Sequence, residues 1–164
     1  MVICLRAADT LAGITKVTFY RHFPSKNELV LAFLEYRHQR WIGWFVDALQ
    51  RHARADSADG IEAIVGALGE WFRSESFRGC AFINSVGELG GAMPEVVAIS
   101  ASHKQDMTDA IAALLPASRH RAKDADAAAM AVDGAIIRAQ IGEAPEAALK
   151  TLRVLLTALL RPKA

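Results

Sequence analysis

The sequence predicts an all-α fold: a short helix-turn-helix head (residues 1–28) followed by a larger helical domain (residues 29–164). Three observations predict it. Proline and glycine divide the chain into segments whose apolar residues recur at three- and four-residue steps and nowhere alternate. Apolar residues make up 52% of the chain, enough for a substantial core. At the N-terminal end, two short helical segments are joined by a tight turn at Gly13.

Eight helices are expected. Residues 3–11 form a short first helix that ends near Ala12-Gly13. Thr15 to Phe23 forms a second, which must stop before Pro24 because the residue ahead of a proline is pushed out of helical geometry. Ser25-Lys-Asn-Glu28 has the spacing of a capping box and opens a long helix to about Arg54. Along it, Leu29, Phe33, Tyr36/Arg37, Trp41, Trp44/Phe45 and Ala48/Leu49 recur at helical steps. After the polar break at 56–60, a helix runs from about Ile61 to Phe77, and another from Cys80 to Leu89. Pro94 suits the first position of a helix to about Leu115. A basic loop (116–123) then precedes a helix from Asp124 to about Gly142, whose acidic start favours its dipole. Glu146 to Leu160 is the last.

Net charge is only +1, but it is unevenly spread. Residues 1–54 carry eight Lys/Arg against four Asp/Glu, and the rest carry eleven against fourteen. A basic head on a mildly acidic body suits a reader of a polyanion, since phosphate attraction supplies most non-specific affinity. The other reading is ordinary charge scatter on solvated faces. Cys4 and Cys80 form no CxxC pair and suggest a reducing compartment. No apolar run reaches the roughly 18 residues of a membrane span. The five histidines show no HxxH or HExxH spacing, and GxSxG, Walker and GxGxxG patterns do not occur. The expectation is a cytoplasmic protein that is not an enzyme, with no cofactor, metal site or membrane partner.

The most informative stretch is residues 12–26, Ala-Gly-Ile-Thr-Lys-Val-Thr-Phe-Tyr-Arg-His-Phe-Pro-Ser-Lys. Gly13 permits the left-handed backbone that a short helix–helix turn needs. Ile14, Phe19 and Phe23 dock the second helix. Thr15, Lys16, Val17, Thr18, Tyr20, His22 and Lys26 are left for the outer face, with the hydroxyls, methyl group and cations that contact phosphates and thymine methyls in a major groove. Lys26 also lies in the first turn of the long helix, where free amides can hold a phosphate.

This stretch resembles the signature of the tetracycline-repressor (TetR) family. The resemblance implies a ligand-responsive DNA-binding transcriptional regulator, a repressor released from a double-stranded DNA operator by a small hydrophobic inducer. By position, Lys16 and Val17 would face bases. Thr18, Tyr20, His22 and Lys26 would contact phosphates, and Thr15 would lie at the groove edge. Family members carry a helix of some twenty residues ahead of the reading pair, whereas this sequence starts almost inside the second helix. The expectation is a head without its first helix, and the alternative is a dimeric helical small-molecule or protein-binding module that has lost DNA binding with it.

In the body, large apolar residues with sparse polar ones mark Trp71, Phe72, Phe82, Asn84, His103 and Met107 as a candidate ligand pocket, with an ordinary helical core as the other reading. The last two helices are apolar almost all round. The resemblance implies that they pair with their mates into a homodimer, which places Ala131, Ala135, Leu152, Leu156 and Leu159 at the interface. The alternative is that these helices complete the protomer's own core.

Overall fold

The structure is a computed structural model that describes residues 22–55 and 60–160. Those residues form six helices: α1 (Lys26–Ala55), α2 (Gly60–Phe72), α3 (Ala81–Leu89), α4 (Pro94–Leu114), α5 (Arg121–Gln140) and α6 (Pro145–Leu160). No strand occurs among the described residues. The two expected N-terminal helices lie outside them, apart from His22 and Phe23.

α1 starts where the capping pattern predicts. The Glu28 amide donates to Ser25 Oγ at 3.1 Å. The return bond differs from the standard box: the Ser25 hydroxyl itself donates to Glu28 Oε1 at 3.3 Å. The helix then runs unbroken to its end, so the expected domain division at residue 28 falls inside α1. One face of it, through Val30, Leu34, Phe45, Ala48 and Leu49, is buried.

The helices pack as a closed ring: α1 on α2 and α4, α2 on α6, α6 on α5, and α5 on α4, with α3 lying across α4. The core fills the ring. Leu34 and Phe45 of α1, Ile64 and Leu68 of α2, Val96, Met107 and Ile111 of α4, Val132 and Ile136 of α5, and Leu152 and Leu156 of α6 are all fully buried. Each of these larger side chains contributes roughly 1.5–3 kcal/mol through burial.

Two boundaries differ from the sequence expectation. α2 ends at Phe72, not Phe77. Beyond it Ser74 and Ser76 bond one another at 3.2 Å, so their hydroxyls hold a turn in place of a helix. That turn folds the Phe77 ring back to 5.1 Å from both Trp71 and Phe72. α5 begins at Arg121, not Asp124, because Ser118 starts the turn early. Its Oγ accepts from the His120 amide at 3.2 Å and its carbonyl from the Arg121 amide at 3.3 Å.

Two glycines have φ values that other residues resist. Gly142, at φ +100°, ends α5 in a Schellman motif. The Glu143 amide donates to the Arg138 carbonyl at 3.0 Å and the Gly142 amide to that of Ala139 at 3.3 Å, while the side chains of Arg138 and Glu143 pair across the turn. Gly79, at φ +77°, precedes α3, and a Cβ there would sit 1.8 Å from Gln140 Oε1. That oxygen accepts from the Cys80 amide at 3.3 Å, and Gln140 Nε2 donates to Asn84 Oδ1 at 2.9 Å. The start of α3 is therefore pinned to the end of α5. Gly142→Ala should cost about 1 kcal/mol, since open space surrounds that position and only backbone strain is added. Gly79→Ala should cost clearly more, because Gln140 must also leave its two partners. Urea unfolding of the two variants checks the order.

Candidate functional site

α1, α2, α3 and α4 bring one aromatic cluster together. Trp41 stacks on Phe45 at 4.7 Å between ring centres and meets Trp71 edge-on at 5.3 Å. The His103 ring lies 5.1 Å from Trp41 and stacks on Phe82 at 3.7 Å, with only 15° between the planes. Arg37, Cys80, Lys104 and Ile136 complete the wall. The cavity they leave is only about 10 Å³, room for about one water. A larger, open groove of about 240 Å³ adjoins it and shares Arg37, Trp41 and Trp71. Its other lining residues are Arg40, Trp44, Glu70, Ser74 and Ser76.

His103 is 2% exposed, yet it is a titratable group. Burial, with the nearby Lys104 and His38, pushes its pKa down to about 3, so its ring stays neutral near pH 7. Its Nδ1 lies 3.2 Å from Nδ1 of His38, whose Nε2 lies 3.2 Å from Asp106 Oδ2. The carboxylate can only accept, so His38 donates from Nε2. The two Nδ1 atoms share one N–H, one donating and the other accepting. Lys104 pairs with Asp133 on α5.

Glu70, on the groove wall, has its carboxyl pushed up by burial. Hydrogen bonds from Arg51 and Trp44, and the Arg51 charge, outweigh that and hold its pKa below the usual value. The Arg51 guanidinium contacts both oxygens, at 2.9 and 3.0 Å.

Of the six residues expected at a pocket, Trp71, Phe82 and His103 line the small cavity. Phe72 and Met107 lie in the core at 5% and 1% exposure, and Asn84 is engaged by Gln140. Sequence reasoning missed Arg37, Trp41 and Lys104. Arg37 and Trp41 lie one helical turn apart on α1, and the signal for them was the same stripe that marked the helix as amphipathic.

Among the expected interface residues, Ala135, Leu152 and Leu156 are instead buried inside the protomer at 5% or less, and Ala131 is partly buried. α6 packs on both α2 and α5, which takes up that face of its leucine stripe. Leu159 is exposed, as are Met130, Ile141, Val154 and Leu155. Of the expected DNA contacts, His22 and Lys26 are exposed at and beside the start of α1, while Thr15, Lys16, Val17, Thr18 and Tyr20 lie outside the described residues.

The sequence profile of bacterial regulatory proteins of the tetR family matches residues 10–33. The fold is similar to the crystal structure of a TetR-family transcriptional regulator from Streptomyces coelicolor. The TM-score is 0.77 at 27% identity, over 97% of this chain and 84% of that one. No curated protein matches the sequence. Among the described residues, no helix is long and apolar enough to cross a membrane.

The buried histidine makes stability depend on pH. Unfolded, His103 titrates near the ordinary histidine value of 6.5; folded, its pKa is pushed down to about 3. Its contribution is therefore complete above pH 6.5 and is lost as pH falls below it, since the unfolded chain alone takes up the proton. Stability should fall by about 1–2 kcal/mol between pH 7 and pH 5 from this group. His103→Gln keeps a donor for His38 and should flatten that slope in denaturant titrations at the two pH values.

Proposed function

We propose how this member of the tetracycline-repressor (TetR) family of transcriptional regulators works: as a homodimeric cytoplasmic repressor whose grip on an operator is released by a small molecule lodged beside α1. The observation that carries the reading is that one continuous helix, α1, holds both the Lys26 end of the family-matched segment and the aromatic site at Trp41.

On the DNA side, the matched residues 10–33 contain all seven expected contacts: Thr15, Lys16, Val17, Thr18, Tyr20, His22 and Lys26. Lys16 and Val17 face bases, Thr15 stands at the groove edge, and the other four hold phosphates. Lys26 is exposed in the first turn of α1, whose dipole and free amides favour an anion. On the ligand side, Trp71, Phe82 and His103 supply apolar walls for an inducer with a large apolar part. The small cavity cannot hold such a molecule without movement, so binding must favour a state in which the cluster is open. Displacing Trp41 moves α1, and with it the reading head.

The dimer face is best supported by the outer surfaces of α5 and α6. Met130 and Ile141 are each 77% exposed, and Val154, Leu155 and Leu159 lie on the neighbouring helix. Exposed Gly134 sits between the first two on the same face, with open space around it, and allows a close helix approach. A second copy would make a four-helix interface and set two heads one DNA turn apart.

Three experiments test this reading. Binding of duplex DNA, followed by fluorescence anisotropy, should weaken steeply with salt, by about −0.9 in log–log slope per phosphate neutralised. Lys26→Ala should reduce that slope by about one phosphate's share. A wild-type affinity insensitive to salt would remove DNA from the function. In sedimentation velocity the wild type should run as a dimer, and Leu155→Glu with Leu159→Glu as a helical monomer. A reporter driven from the operator should be silenced by the protein and restored by the inducer.

A further inference from the structure

We infer that the groove between α1 and α2 selects an anionic ligand: a carboxylate carried on a flat or flexible apolar body. This rests on the reading of the cluster as the effector site and assigns the chemistry of what enters it.

Three observations converge. First, the groove's cations are unmatched. Arg37 is half-buried, yet no hydrogen bond or ion pair engages it among the described residues. Arg40 donates to the Tyr36 hydroxyl at 3.0 Å and lies over that ring, with no carboxylate partner there. The carboxylate lining the groove, Glu70, already receives both contacts of Arg51 and the Trp44 Nε1–H at 3.2 Å. A groove of about 310 Å³ between α2 and α6 shows the contrast, for there Arg73 is paired with Glu146 and Arg153 with Glu62.

Second, the Nε1–H of Trp41 is shut off from solvent and has no acceptor among the described residues. A buried donor without a partner is costly, and Trp41 lines both the small cavity and the larger groove. An acceptor oxygen on a ligand would satisfy it. Third, the apolar floor is aromatic. Trp41, Trp44 and Trp71 lie within 5.3–6.3 Å of one another and offer ring surface to a hydrocarbon body. Donors at the rim, with the Ser74 and Ser76 hydroxyls beside them, and rings beneath suit an amphipathic acid better than a neutral hydrocarbon. The guanidinium fork of Arg37 matches the two oxygens of a carboxylate.

The chain's three tryptophans all line this groove, so its intrinsic fluorescence reports directly on occupancy. The full chain is titrated with 3-phenylpropanoate and decanoate, and with the methyl ester and primary amide of each. The acids should change tryptophan emission and bind about tenfold or more tightly than their esters, as a charge-assisted contact implies. Arg37→Met should abolish that preference while leaving ester affinity within about twofold and the helical circular dichroism unchanged. Arg40→Met, at the exposed rim, provides the same comparison should Arg37→Met not fold. Equal binding of acid and ester to the wild type, or a preference that survives both variants, overturns the anion assignment. Emission unmoved by every probe overturns the groove as a ligand site. Release of the protein from operator DNA is read separately, so a wild type that shows no acid preference but still releases DNA refutes this inference and leaves the regulator reading standing.

Discussion

The protein depends on the stiffness of one helix. α1 spans 30 residues, or about 45 Å at 1.5 Å per residue, with no proline inside it and no break in its ladder. Its exposed N-terminal turn adjoins the segment that resembles a DNA reader, and its middle carries Arg37, His38, Trp41 and Trp44. Lys26 and Trp41 are 15 residues apart, so roughly 22 Å of rigid rod joins the two ends of the proposed signal. Leu34, Phe45 and Ala48, at 0% exposure, anchor that rod to the body. In the proposed mechanism, a shift at the tryptophan would be carried along a helix fixed this way and reach Lys26 as a tilt.

The closed state is held by packing more than by charge. His103 is the middle of it: stacked on Phe82, edge-on to Trp41, and bonded to His38. A neutral ring satisfies all of these contacts, and burial keeps it neutral. The near absence of free volume means that a ligand cannot simply fill a vacancy. On the proposed reading it would replace one set of aromatic contacts with another, and only its preference for the rearranged state would shift the population. The larger groove beside the small cavity, sharing Arg37, Trp41 and Trp71, would offer a ligand a first foothold before that exchange.

Helix number and most boundaries in the described region were legible because proline, glycine and the Ser25–Glu28 cap act locally. The early end of α2 was not, since it depends on Phe77 folding back onto Trp71, a contact the apolar pattern cannot show. The leucine-rich α6 was legible as a helix and as unusually apolar. Which leucines face inward was hidden, because a stripe that is wide all round carries no phase. Leu152 and Leu156 turned out to be core and Leu155 and Leu159 surface, on two sides of one helix. Half of the aromatic site was visible for a similar reason. Trp71, Phe82 and His103 stand out by type, whereas Arg37 reads as an ordinary surface cation until folding brings Trp71 and Lys104 beside it.

Helix packing also indicates where the protein can move. Glycines let α2 sit tightly on both of its neighbours. A Cβ at Gly66 would lie 2.5 Å from the His52 ring on α1, and one at Gly69 would lie 3.3 Å from Leu149 on α6. Arg51 and Glu70 clamp the first of these contacts and Arg153 and Glu62 the second. The C-terminal half of α1, α2 and α6 therefore behave as one block, with the exposed leucines proposed for the dimer face on its outer side. The contact of α1 with α4 is different in kind, a polar seam of His38, His103 and Asp106 beside the groove. Hydrogen bonds of this type can be remade in a second register at little cost, whereas interlocked glycine contacts cannot. On the proposed reading, a ligand wedged beside Trp41 would work against the softer of the two contacts, with α1 moving over α4.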